Sequence, residues 1–129
     1  MPRERIRRFS VAYPIGDGNL AAGVDKFIHV VRFRCRLLEV TLSLRTTGGT
    51  SGNTDVDVNR DGSSILTAPG LRIAQGAATK HVTAAPAAAA GHPSGLDCAP
   101  GQTISGDIDA IPGTASTGGV VTLHFAVTD

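Results

Sequence analysis

Tryptophan is absent from this chain, tyrosine occurs once, and aromatic residues make up only 4% of 129 positions. That scarcity argues against a sugar-binding cleft, which needs stacking platforms. It leaves Val, Ile, Leu and Ala to fill the interior, with Phe9, Phe27, Phe33 and Phe125 as the large pieces. There are two cysteines, Cys35 and Cys98. They are too few for a disulfide framework and lack the four-ligand spacing of a zinc site. Two buried free thiols are the expectation, with a single bridge between strands as the alternative. No run approaches the 18 or so apolar residues of a membrane span, and the N-terminus has no apolar leader core, so a cytoplasm-made protein is expected. Gly-x-Ser-x-Gly, Walker and Gly-x-Gly-x-x-Gly sequences are missing as well. With them go the usual signatures of a nucleophile elbow and a nucleotide loop, and no enzymatic role, catalytic residue or cofactor is expected.

Glycine is abundant instead, at 16, beside seven prolines, with no collagen period. Such a chain makes many tight turns. Between the turns the apolar residues alternate. Phe9, Val11 and Tyr13 form one such run, which Pro14 is expected to stop before a turn at Gly16–Asn19. In residues 26–34, Phe27, His29, Val31 and Phe33 take one face, while Ile28 and Val30 share the other with Lys26, Arg32 and Arg34. Apolar residues on both faces predict a strand that is central or lies between two subunits. At Cys35–Leu38 the phase slips by one, and Leu38, Val40, Leu42 and Leu44 then face inward, as across a β-bulge or bend. Val56 and Val58 lead to Arg60-Asp61-Gly62 and a return at Ile65-Leu66, a hairpin signal. Short strands follow at Leu71–Ile73 and Thr79–Thr83. After a long loop over Ala84–Gly95 come strands around Ile104–Ala110 and Val121–Val127. The fold class is all-β: a sandwich or jelly roll of about eight short antiparallel strands. It forms one domain over residues 9–129, preceded by a basic arm over residues 1–8.

Few constellations could carry chemistry. Asp57, Asn59 and Asp61 before Gly62 match the opening of an EF-hand-type calcium loop, but the twelfth position, which should chelate with both carboxylate oxygens, is Ala68. A solvated hairpin capped by an Asp-Gly turn accounts for the same residues. His29, His81, His92 and His124 have no fixed spacing to Cys35 and are expected to be satisfied or interfacial. Asp107 and Asp109 share a strand face without the aromatic platforms of a glycosidase. Charge divides the chain: residues 1–46 hold nine Lys or Arg against four acids, and the remainder holds three against seven. This suits head-to-tail contacts between copies, or salt bridging within one sandwich. In the arm, Arg3, Arg5, Arg7 and Arg8 are the candidate partner-binding residues. Their expected partner is a protein surface rather than nucleic acid, because only Phe9 and Tyr13 lie near enough to stack on bases.

Four segments in order, residues 35–46, 55–66, 99–113 and 119–125, resemble a β-sandwich module of tailed-phage virion proteins. In that pattern a strand and a Gly/Thr loop precede a hairpin like Asp57-Val58-Asn59-Arg60-Asp61-Gly62. A strand like Ile104–Asp109 and a closing strand like Gly119–Leu123 complete it. Gln102 stands where the pattern often has an acid. The resemblance spans about residues 27–127 and implies no catalytic residues. It implies a virion structural protein at the capsid surface, a decoration protein that binds and stabilises the head. Its partners would be the major capsid protein and further copies of itself, in a trimer. The alternative it implies is a receptor- or glycan-binding module of a head or tail fibre.

Overall fold

The computed structural model describes residues 7–86 and 95–128. Ten strands form two antiparallel sheets packed face to face, and no helix occurs among the described residues. In the first sheet the order is β1 (Arg8–Asn19), β10 (Thr117–Val127), β3 (Cys35–Thr46) and β7 (His81–Ala84), with β8 (Leu96–Cys98) also on β3. In the second it is β2 (Gly23–Val30), β9 (Thr103–Ala110), β4 (Asn53–Arg60) and β5 (Ser63–Ser64), with β6 (Leu71–Ala74) also on β4. The expected all-β sandwich is therefore the fold.

Alternation decides what each strand buries. Leu37, Val40, Leu42, Val121, Leu123 and Phe125 point from the first sheet at Val56, Val58, Leu71, Ile104 and Ile108 of the second, all almost wholly buried. The phase slip expected near Cys35 is a β-bulge: His124 opposes Glu39, but the next residue, Phe125, opposes Leu37. Leu38 is the extra residue, so Leu37 is the buried leucine and Leu38 is only half-buried. The β4–β5 hairpin closes through Asp61 and Gly62 with φ of 49° and 85°, the two positive values that a two-residue type I′ turn requires.

Three expectations are corrected. Pro14 does not end its strand: β1 runs on to Asn19 through two irregularities of register, after Pro14 and after Gly16. It can, because β1 is an edge strand, whose outer side needs no amide hydrogen. The strand expected from residue 26 to 34 is not central. β2 stops at Val30 and pairs with β9 alone, at the opposite sheet's edge. Phe33, expected in the core, lies beyond the strand end and stays 48% exposed. The loop expected over Ala84–Gly95, with His92, falls largely outside the described residues, as do Arg3 and Arg5.

Candidate interaction edge

The edge strands β1 and β2 run along the same side of the sandwich, and the chain's aromatic residues collect between them. Phe9 and Tyr13 come from the inner face of β1, Phe27 and His29 from β2, and Phe33 from just beyond it. Phe125 rises from the neighbouring β10. Ring centroids lie 5.0 Å apart for Phe9–Phe125, 5.4 Å for Phe9–Phe33 and 5.0 Å for Tyr13–Phe27. His29 joins the two groups, at 5.7 Å from Tyr13 and 5.3 Å from Phe125. All four phenylalanines and the one tyrosine thus belong to a single seam. Such pairs add about 0.5–1.5 kcal/mol each beyond simple burial. Pairings this distant in the chain leave no mark in local patterning.

Along the seam runs an open groove of about 280 Å³, lined by Phe9, Tyr13, Ile28, His29, Val30 and Phe33 among others. Its outer lip is unusually apolar. The large hydrophobic side chains exposed among the described residues are Val24, Ile28, Val30 and Phe33, at 76%, 55%, 48% and 48%. All lie on β2 or directly after it. Scattered exposed apolar residues are ordinary, but a cluster on one unpaired edge is a place for association.

Positive charge frames one end of this edge. Val127 donates its amide to the carbonyl of Arg7, and Thr128 donates to that of Arg34, which brings both termini of the described chain together there. Arg7, Arg8, Arg32 and Arg34 are exposed, and none forms an ion pair among the described residues. Ion pairs among the described residues include Arg36–Asp97 at 2.8 Å, Arg45–Asp17 at 3.7 Å and Arg72–Asp55 at 2.7 Å. Of these three, Arg36–Asp97 alone joins the two charged halves.

Tyr13 Oη and His29 Nδ1 share a hydrogen bond of 2.6 Å that closes the seam. Desolvation, and then the Arg32 charge, hold the His29 imidazole below its ordinary pKa of 6.5, while desolvation raises Tyr13. A histidine with a lowered folded pKa stabilises the fold while neutral. That stability is complete above the unfolded value and declines as pH falls through it. Melting temperature should fall from about pH 7 to pH 5, and His29→Gln, which keeps an acceptor but cannot titrate, should flatten that slope. Equal slopes by thermal scanning in matched buffers would remove His29 from the account.

The residues of the calcium-like motif are bonded within the β4–β5 hairpin and across to β9. Asp57 Oδ1 accepts from the Val58 amide at 2.9 Å and the Ser64 hydroxyl at 2.7 Å. Asn59 donates to Asp107 Oδ2 at 2.9 Å, and Asp61 Oδ1 accepts from the Thr103 amide at 2.9 Å. Asp57, Asn59, Asp107 and Asp109 share the outer face of the second sheet. Burial, followed by the charges of Asp57, Asp107 and Asp55, raises the Asp109 pKa. Among the described residues no three His, Cys, Asp or Glu side chains gather to hold a metal ion.

His124 is bonded on both ring nitrogens, to Ser10 Oγ at 2.8 Å and Thr41 Oγ1 at 3.1 Å, and Thr41 continues to Thr83 Oγ1 at 2.9 Å. This row crosses the outer face of the first sheet, and His81 is exposed at its margin. Cys35 and Cys98 are both buried and free.

No family model, curated protein or solved structure matches the chain.

Proposed function

We propose that this protein is a non-enzymatic virion structural protein, a decoration protein that seats its β1–β2 edge on the coat of a phage head and braces it. The observation that carries the reading is the concentration of Val24, Ile28, Val30 and Phe33 on or just beyond one edge strand, beside arginines that form no ion pair among the described residues. An apolar centre with a charged rim is the anatomy of a docking surface. Arg7, Arg8, Arg32 and Arg34 make one end of that rim positive, so the fitting partner is a coat surface rich in carboxylates. The acidic outer face of the second sheet suits head-to-tail association, and a trimer at a three-fold position of the head satisfies both surfaces. A fibre-tip glycan module is less well supported, because the rings other than Phe33 are buried or half-buried in the seam.

The test is cosedimentation with purified heads of the encoding phage, with sedimentation velocity on the free protein. Saturable, salt-weakened binding that raises the temperature of head rupture is expected, and Ile28→Asp with Val30→Asp should abolish it without lowering the melting temperature. A free monomer that fails to bind heads at low salt would end the proposal.

A further inference from the structure

From the register of β3 and β8 we infer that Cys35 and Cys98 form a disulfide-forming site, a cross-strand dithiol that small-molecule disulfides convert into a covalent clamp on β8. The inference is independent of the proposed function.

Cys35 and Cys98 are direct partners across the antiparallel β3–β8 ladder, followed by Arg36 with Asp97 and Leu37 with Leu96. Directly opposed residues in such a ladder have Cα atoms about 4.5 or 5.5 Å apart, depending on the hydrogen-bonding type of the pair. Both spacings fall within the roughly 4.4–6.8 Å that a disulfide spans. Each thiol is near enough to the other to shift its titration, and Cys98 Sγ donates to the Leu96 carbonyl at 3.5 Å. The backbone thus already sets the two cysteines opposite each other, and closing the bond asks for little movement.

Access is restricted but present. Cys98 lines a second groove of about 340 Å³ with Arg34, Arg36, Asp97 and Gln102, while Cys35 lines the aromatic one. Among the described residues β8 pairs with its sheet over three positions, so its local opening is among the cheaper excursions of this fold. Burial and the neighbouring thiol push Cys35 up to about 11, which slows the exchange without altering its end point.

The reaction balances as thiol–disulfide exchange. Cys98 loses its proton, and its thiolate attacks one sulfur of a small-molecule disulfide such as glutathione disulfide. A mixed disulfide forms and one glutathione thiolate leaves. Cys35 loses its proton, attacks the Cys98 sulfur and expels the second glutathione. Two electrons pass from the protein to the reagent, and the two released protons end on the two glutathiones. The bond encloses residues 36–97, about half the chain, so it restricts the unfolded state strongly.

The experiment incubates the full chain, freed of reductant, with glutathione disulfide, then measures intact mass, thiols under denaturant and melting temperature. A monomer lighter by two hydrogens, without free thiols, is expected. Its melting temperature should rise by roughly 10 °C and fall back on treatment with dithiothreitol. Cys35→Ser and Cys98→Ser should each show no rise. A persistent glutathione adduct, thiols still free after days, or a disulfide formed without a rise would each overturn the inference. Head binding is not measured, so failure here leaves the proposed function untouched.

Discussion

Replacing Phe125 with alanine should destabilise the protein by about 3–5 kcal/mol, lowering the urea midpoint by roughly 2 M. Phe125 has no exposed surface, sits near the C-terminal end of β10, between β1 and β3, and supplies the ring on which both Phe9 and His29 rest. Truncation removes the transfer energy of the ring and leaves a cavity that two edge strands can only partly collapse into. Domains of this size have about 5–15 kcal/mol in total, so a large share of the stability rests on one side chain. Phe33→Ala is the control. Phe33 touches the same cluster from an exposed position and should cost within about 1 kcal/mol. Equal losses from the two substitutions would contradict a seam organised around Phe125.

Gly106→Ala should cost about 1–3 kcal/mol, although alanine ordinarily suits a strand better than glycine does. Gly106 sits at the centre of β9, opposite Phe27 on one side and Val58 on the other. A Cβ there would lie 2.8 Å from Phe27 Cδ1 and 3.0 Å from Cζ, with Cε1 nearer still. The Phe27 ring would have to leave its stack on Tyr13, disturbing the Tyr13–His29 bond with it. A double-mutant cycle isolates this cause: in a Phe27→Ala background, Gly106→Ala should add almost nothing, giving a coupling above about 1 kcal/mol. Additive losses in chemical denaturation would place the strain elsewhere.

How far the fold was legible depends on how local its signals are. Asp61-Gly62 between alternating strands names its own turn, and the phase slip after Cys35 is the bulge at Leu38 written out in the residues. Pro14 misleads because proline interrupts only a strand that donates on both sides, and a sequence does not state that β1 is an edge. The two apolar faces of residues 26–34 have one cause in a central strand and another in an edge strand whose outer face is left uncovered by the described residues. Local pattern cannot tell these apart, whereas the exposed Ile28 and Val30 can. For the candidate site, Arg7 and Arg8 were visible as charge. The gathering of Phe9, Tyr13, Phe27, His29, Phe33 and Phe125 depends on pairing between strands that the chain order keeps apart. The opposition of Cys35 to Cys98 is invisible for the same reason.

The seam also equips the protein with its own optical probe. With tryptophan absent, the intrinsic emission of the folded chain comes from Tyr13 alone, and its phenol is bonded to His29 within the groove's lining. Whatever settles on the β1–β2 edge, or protonates His29, changes the surroundings of that one emitter. Occupancy of the edge can therefore be followed by fluorescence without a label, provided the binding partner is itself silent at the tyrosine wavelengths.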